Sequence, residues 1–140
     1  MPILAWNWFR VSLKPMELRY HHVSRSTNNL ETMLEFYRSL GCTLEKHLKD
    51  DVQHLERAVL NLPGSNACLQ FVQRSEGVVT PPGLDWTDHL AFHTSNFEID
   101  LEQMLAAGGK LEKPTYRTPS GSLVAFIFDP DGHRIELVAK

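Results

Sequence analysis

Two stretches of this chain are related to each other at a fixed distance along the sequence. Residues 22–46 align without a gap with residues 89–113, and ten of the 25 aligned positions are identical. Any two strand–helix–turn segments share leucines and glycines through their periodicity, but this does not explain a histidine ahead of the strand in both copies. The repeat therefore predicts two copies of one structural unit.

Each copy has the pattern of a strand, a helix and three further strands. In both predicted helices apolar residues recur three, four and seven positions apart, the spacing of a helix with one buried face. These residues are Leu30, Met33, Leu34, Tyr37 and Leu40 in the first copy, and Phe97, Leu101, Met104 and Leu105 in the second. The predicted strands are 18–27, 43–48, 55–61 and 67–73, then 88–94, 110–113, 122–128 and 134–139.

Polar residues and glycines predict where these elements begin and end. Asn28 or Asn29 in the first copy, and Asn96 in the second, can accept hydrogen bonds from the free amides of a first helical turn. Gly41 and Gly108 stand where a helix commonly ends in a left-handed residue. The segments 61–64 and 129–132 are strong turn signals between the last two strands of each copy.

The pattern predicts an α+β fold of two βαβββ modules, which form a curved mixed sheet with both helices packed outside it. One small module cannot bury the apolar face of such a sheet alone, so the modules are expected to pair. Residues 1–15 form an N-terminal extension, either an extra edge strand or residues upstream of a start at Met16. The predicted domain covers residues 17–140, with module one at 17–73, a linker at 74–87 and module two at 88–140.

Composition excludes several classes of protein. The net charge is −3 with histidines neutral, and no basic stripe suited to a phosphate backbone is present, so we expect no nucleic-acid partner. No apolar run approaches the roughly 20 residues that cross a bilayer, so we expect no membrane partner. Two cysteines, Cys42 and Cys68, lack CxxC spacing and indicate buried, reduced thiols in a cytoplasmic protein.

The repeat also pairs four side chains that suit a divalent metal ion. His22 aligns with His89, and Gln70 aligns with Glu136 when the closing strands are overlaid at an offset of 66. In a two-fold arrangement, residues of the first and last strands of both modules can converge on one point. Imidazole nitrogen, amide oxygen and carboxylate oxygen together suit Zn²⁺, Ni²⁺, Co²⁺, Mn²⁺ or Fe²⁺. We therefore predict one divalent ion per site, bound by these four residues.

Glu136 is the one carboxylate in this predicted ligand set, so it is expected to serve as both metal ligand and catalytic base. His93 lies on the predicted face of His89 and is expected either to line the pocket or to be a core residue. His47, His54 and His133 lie near strand ends or turns and are expected to face solvent.

With this repeat and these predicted ligands, the chain resembles the vicinal-oxygen-chelate superfamily, which includes glyoxalase I, extradiol dioxygenases and fosfomycin-resistance thiol transferases. The resemblance covers residues 17–140. His22 stands fourteen residues before the Phe36-Tyr37 pair of an "FY…LG" helix, His89 stands in "DHLAF", and Glu136 stands in "DPDGHRIEL". The closing stretch is most similar to bacterial glyoxalase I.

The resemblance to glyoxalase I implies an open metal site that binds a small-molecule substrate through two adjacent oxygens and moves a proton between its carbons. It also implies a homodimer in which His22 and Gln70 come from one chain, and His89 and Glu136 from the other.

Three departures from glyoxalase I bear on the substrate. Gln70 stands where that enzyme normally has an acidic ligand, Ser26 stands where it has an Arg that contacts glutathione, and 74–76 replaces an Asn-Trp-Gly. The last two departures put glutathione in question as the thiol.

Three other functions remain open from the sequence. They are an Fe²⁺ extradiol-type dioxygenase that uses His22, His89 and Glu136, a fosfomycin-type thiol transferase, and a metal-free resistance protein that binds a small molecule.

Overall fold

The computed structural model describes residues 21–77 and 89–140, which form two consecutive series of one helix and several strands. The predictions for the N-terminal extension and for most of the linker fall outside these residues. The first series is β1 (His22–Ser26), α1 (Leu30–Ser39), β2 (Thr43–Asp50), β3 (Leu55–Asn61) and β4 (Cys68–Arg74). The second is β5 (His89–His93), α2 (Phe97–Ala106), β6 (Lys110–Leu111), β7 (Tyr116–Arg117), β8 (Leu123–Phe128) and β9 (Arg134–Ala139).

Each series folds into its own mixed sheet, and the two sheets have the same strand order. The first sheet runs β1-β4-β3-β2, and the second runs β5-β9-β8-β6 with the short β7 also paired to β8. In both sheets the first strand lies parallel to the last, and the other pairs are antiparallel. The α+β fold of two βαβββ modules is confirmed, and β7 is an addition that the sequence did not predict.

The register of the parallel pairs preserves the repeat residue by residue. In the first sheet His22 lies opposite Cys68, and Ser24 lies opposite Gln70. In the second sheet His89 lies opposite Arg134, and Ala91 lies opposite Glu136. Because side chains alternate between the faces of a strand, each histidine shares one face with the Gln or Glu of the neighbouring strand.

The opposite face of each sheet is covered by helices and forms the core. Leu69 and Phe71 of β4 are fully buried in the cluster that α1 contributes to, and Leu137 of β9 packs in the cluster of α2. Ile135 of the second module belongs to the cluster of the first module. The two modules of one chain are therefore joined through their helix-covered faces.

A buried hydrogen bond also connects the modules. The hydroxyl of Tyr37, on α1, donates to Oδ2 of Asp129 at 2.7 Å, and both residues are almost completely buried. The other oxygen of Asp129, Oδ1, accepts from the backbone N–H groups of Asp131 and His133. Since an unpaired carboxylate at this position would be strongly destabilising, these three donors are what allow it to be buried.

The ends of the two helices match only partly between the repeats. Gly41 and Gly108 follow the helices with φ values of 101° and 115°, the left-handed conformation predicted for them. The side chain of Asn29 accepts from the N–H of Thr32, whereas the side chain of Asn96 makes no capping bond. The predicted cap is therefore confirmed for α1 and wrong for α2.

No helix within the described residues is long and apolar enough to cross a membrane.

Candidate metal centre

His89 and Glu136 come together on the face of the second sheet that the helices do not cover. His89 opens β5, Glu136 lies in the middle of the adjacent strand β9, and Nε2 of His89 is 3.0 Å from Oε2 of Glu136. Each side chain is 21% exposed, so the pair lies at a surface that a small molecule can reach. The flanking residues Leu90 and Ile135 point to the opposite face, where they pack in the core.

The separation of these two atoms fits a shared metal ion. Two adjacent ligands that each bind one ion at roughly 2.0–2.2 Å lie about 3 Å from each other in octahedral geometry and about 3.4 Å in tetrahedral geometry. An imidazole nitrogen and a carboxylate oxygen also form a donor set that divalent first-row metals accept. His89 and Glu136 are therefore suited in both chemistry and position to be two ligands of one ion.

The first module carries the corresponding pair on the same face of its sheet. His22 lies on the exposed β1, and Nδ1 of His22 is 2.7 Å from Nδ1 of its neighbour His21. The side-chain amide of Gln70 donates to Oγ of Ser24 at 2.9 Å. Because this bond uses the amide nitrogen, the carbonyl oxygen of Gln70 is left as the atom that can bind a cation.

The two pairs do not meet within one chain. In the described part of the chain, no three His, Cys, Asp or Glu side chains come close enough together to hold one ion. His22 is thus not gathered with His89 and Glu136, although the repeat places all three on equivalent faces. The reason lies in the core, since the modules join through their helix-covered faces and both ligand pairs lie on the opposite faces.

An ordered set of side chains surrounds the His89–Glu136 pair. The ring of Phe126, opposite Glu136 on β8, stands edge-on to the His89 ring with centroids 5.5 Å apart. Arg134, opposite His89, is buried and binds both carboxylate oxygens of Glu112 at 2.8–3.0 Å. These hydrogen bonds hold the pKa of Glu112 below its usual value of 4.5. Phe126 and Arg134 were not among the predicted site residues, although the alternation of β8 and β9 places both on the face of Glu136.

The position equivalent to Arg134 in the first module is Cys68. Its thiol is 3.4 Å from Oε2 of Glu45 and 3.4 Å from Oδ1 of Asn61. Burial and the neighbouring Glu45 both raise the pKa of this thiol. Cys42 and Cys68 are both free, as predicted, and Cys42 is buried whereas Cys68 is only partly so.

The predictions for the other histidines are confirmed only in part. His47 and His54 are exposed, as predicted. His93 is exposed and is not a core residue, and the cavity of about 600 Å³ that it borders lies next to α2 and is not lined by His89 or Glu136. The prediction for His133 is wrong, because this residue is half-buried and its Nε2 has no hydrogen-bond partner among the described residues. Burial lowers the pKa of His133 from 6.5, with Arg25 adding to the shift and Asp129 and Asp131 opposing it.

The fold agrees with comparisons to known protein families. Residues 19–137 match the model of the glyoxalase/bleomycin resistance protein/dioxygenase superfamily. The chain therefore belongs to that superfamily, as the sequence motifs indicated. No curated protein matches the chain.

Solved structures with low sequence identity share the fold. A glyoxalase-related enzyme from Fulvimarina pelagi is 20% identical with a TM-score of 0.70, and the alignment covers 89% of each chain. A glyoxalase family protein from Bacillus cereus is 15% identical with a TM-score of 0.71 and covers 92% of this chain and 98% of its own. Glyoxalase I from Zea mays is 19% identical with a TM-score of 0.69 over 87% of this chain. This chain spans 44% of the length of the maize enzyme.

Proposed function

We propose that this protein is a metal-dependent, glyoxalase I-like enzyme that moves a proton between neighbouring carbons of a small substrate. The observation that carries the proposal is the 3.0 Å contact between Nε2 of His89 and Oε2 of Glu136 on an accessible sheet face. The superfamily match and the repetition of this face in the first module support it. A divalent ion held here would bind two adjacent substrate oxygens and stabilise the negative charge that develops on them.

The residues around the site have distinct roles in this reaction. For a hemithioacetal formed from a 2-oxoaldehyde and a thiol, the Glu136 carboxylate takes the proton from the carbon that bears sulfur. It then returns the proton to the neighbouring carbon while the hydroxyl proton passes to the neighbouring oxygen, which gives the thioester of a 2-hydroxy acid. Because Oε2 of Glu136 faces His89, Oε1 is the atom we assign to carry the proton. Gln70 is neutral, so the ligand set has one negative charge fewer than a set with two carboxylates, which favours an anionic intermediate.

We further propose that each complete site is shared between two chains of a homodimer. Among the described strands, β1 and β5 lie at the edges of their sheets, and each carries one candidate ligand histidine. Within the described part of one chain, no three His, Cys, Asp or Glu side chains come together. A second copy related by two-fold symmetry can bring the His22–Gln70 face of one chain to the His89–Glu136 face of the other, and such symmetry creates two equivalent sites.

Metal content tests the ligand assignment. The protein is purified without added metal, and the bound ions are measured by mass spectrometry. We expect His22→Ala, His89→Ala and Glu136→Ala each to lose nearly all bound metal, because each removes a strong ligand. Gln70→Ala should have a milder effect, since water can replace a neutral amide oxygen.

A second His–Glu pair provides the matched control. Nε2 of His47 is 2.6 Å from Oε1 of Glu56 on the exposed hairpin of β2 and β3. His47→Ala should leave the metal content unchanged. Metal retention by all three ligand variants, or an equal loss in His47→Ala, would show that the ligand assignment is wrong.

Activity tests the reaction. Methylglyoxal should be converted together with a small thiol, and loss of this activity in Glu136→Ala should accompany loss of the metal. Zn²⁺ or Ni²⁺ in the protein is expected for proton transfer, whereas Fe²⁺ with oxygen consumption would instead indicate a dioxygenase.

A further inference from the structure

A positive charge lies beside the His89–Glu136 pair on the same face of the second sheet. Lys113 is in the bend between β6 and β7. Its Nζ is 4.9 Å from the centroid of the Tyr116 ring and 5.4 Å from the centroid of the Phe126 ring. Both distances are within the range in which an ammonium group is attracted to an aromatic face, so two rings position this amine.

Phe126 connects Lys113 to the candidate metal ligands. The ring that contacts the amine also stands edge-on to the His89 ring, with a centroid separation of 5.5 Å. The two separations place Nζ of Lys113 no farther than about 11 Å from the centre of the His89 ring. A small organic molecule that is bound at the metal by one end can therefore reach the Lys113 amine with its other end.

Within residues 21–77 and 89–140, no carboxylate lies within ion-pairing distance of the Lys113 amine. Its charge does act on the neighbouring Glu112, where it helps to lower the pKa of the carboxyl group. The adjacent Glu112 is engaged by Arg134 through both carboxylate oxygens. Lys46, the repeat-related lysine, lies opposite Val59 instead of beside two rings, so this arrangement belongs to the second module alone.

We propose that Lys113 binds an anionic group of the substrate, a carboxylate or a phosphate, at the end opposite the chelated oxygens. This inference rests on the proposed function, because it takes His89 and Glu136 as the metal-binding end of the site. Tyr116 and Phe126 hold the amine in place, and Tyr116 also offers an apolar surface to the chain that links the two ends of the substrate. Lys113 is thus a specificity-determining residue that selects anionic substrates over neutral ones.

Hydroxamates test this inference, because they chelate metal through two adjacent oxygens and can carry different tails. The Co²⁺-loaded protein is titrated with hexanohydroxamate and with its analogues that end in a carboxylate or a phosphonate. We expect the wild type to bind an anionic analogue about two- to fivefold more tightly than hexanohydroxamate, as for an exposed charge pair. The analogue whose affinity exceeds that of hexanohydroxamate by the larger factor identifies the anion, and the preference should weaken as ionic strength rises.

Variants of Lys113 separate charge recognition from structural damage. Lys113→Met should abolish the preference for the anionic tail while leaving the affinity for hexanohydroxamate unchanged, and Lys113→Arg should retain the preference. Lys49→Met is the control, because Lys49 lies opposite Glu56 on a different strand pair.

Two results would be contradictory, one to the role of Lys113 alone and the other to the proposed function as well. Equal affinity of the wild type for all three hydroxamates, or a full preference in Lys113→Met, would overturn the role of Lys113 and leave the metal site standing. Failure of the wild type to bind any hydroxamate would overturn the proposed function and this inference with it.

Discussion

His133 lies in the turn between β8 and β9, where burial separates part of its imidazole from water. Its pKa is lowered mainly by this burial and then by the nearby Arg25, while Asp129 and Asp131 act in the opposite direction. Tyr37 reaches the same region through its bond to Asp129. The junction of the two modules therefore holds a neutral histidine among charged groups.

This environment predicts a loss of stability on mild acidification. The folded state binds a proton on His133 less readily than the unfolded chain, whose histidine pKa is near 6.5. The free energy of unfolding therefore falls as the pH drops from about 7 towards the lowered folded pKa. The total loss is about 1.4 kcal/mol for each unit by which folding lowers the pKa of His133. His133→Gln should flatten this decline in urea unfolding measured between pH 7.5 and 5.

Two comparisons make the pH measurement specific. His54→Asn, at an exposed position, should keep the wild-type pH dependence. Asp129 cannot produce the decline, because burial raises its pKa, so the folded state binds that proton more readily than the unfolded chain. An unchanged decline in His133→Gln would mean that another group is responsible.

At the scale of elements, the repeat offers an internal comparison of two helix caps. Asn29 and Asn96 are aligned and both precede a helix, but only the Asn29 side chain accepts from a first-turn amide. We expect Asn29→Ala to lower the free energy of unfolding by about 1 kcal/mol, and Asn96→Ala to lower it by clearly less. Equal losses in chemical denaturation would show that the two side chains are used alike.

The sequence predicted the regular elements well because their signals are local. The apolar spacing identified both helices, and Gly41 and Gly108 marked their ends. The strand β7 was missed because Tyr116 and Arg117 stand between Pro114 and Pro119, a composition typical of a loop. The two aligned asparagines could not be told apart, since the sequence does not specify which way a cap side chain turns.

The candidate site was predictable only in part. The repeat identified His22, Gln70, His89 and Glu136 as residues of equivalent sheet faces, and the strand register agrees. The surroundings of His133 include Arg25, which helps to lower its pKa, and Asp129, which is bonded to Tyr37. Arg25 and Tyr37 come from the other module and leave no local pattern. Lys113 aligns with an identical residue, Lys46, in the first copy. Its two aromatic contacts depend on the bend after β6 and were not predictable from that identity.

At the scale of the whole molecule, the shared core determines how the ligand faces are presented. Ile135 of the second module packs in the cluster of the first, so one chain uses its helix-covered faces to hold its own modules together. The faces that carry the candidate ligands are left for contact with another chain. Under the proposed function, this arrangement would make metal binding depend on dimerisation.

Mixing two defective chains tests whether the site is shared. His22→Ala and His89→Ala chains are each expected to lack metal alone, and they are combined under conditions that allow subunit exchange. Each heterodimer should regain one intact site from the unaltered modules of its two chains, so a statistical mixture should recover about a quarter of the wild-type metal content. Recovery of no metal after confirmed exchange, or a wild-type protein that sediments as a metal-loaded monomer, would contradict a site shared between two chains.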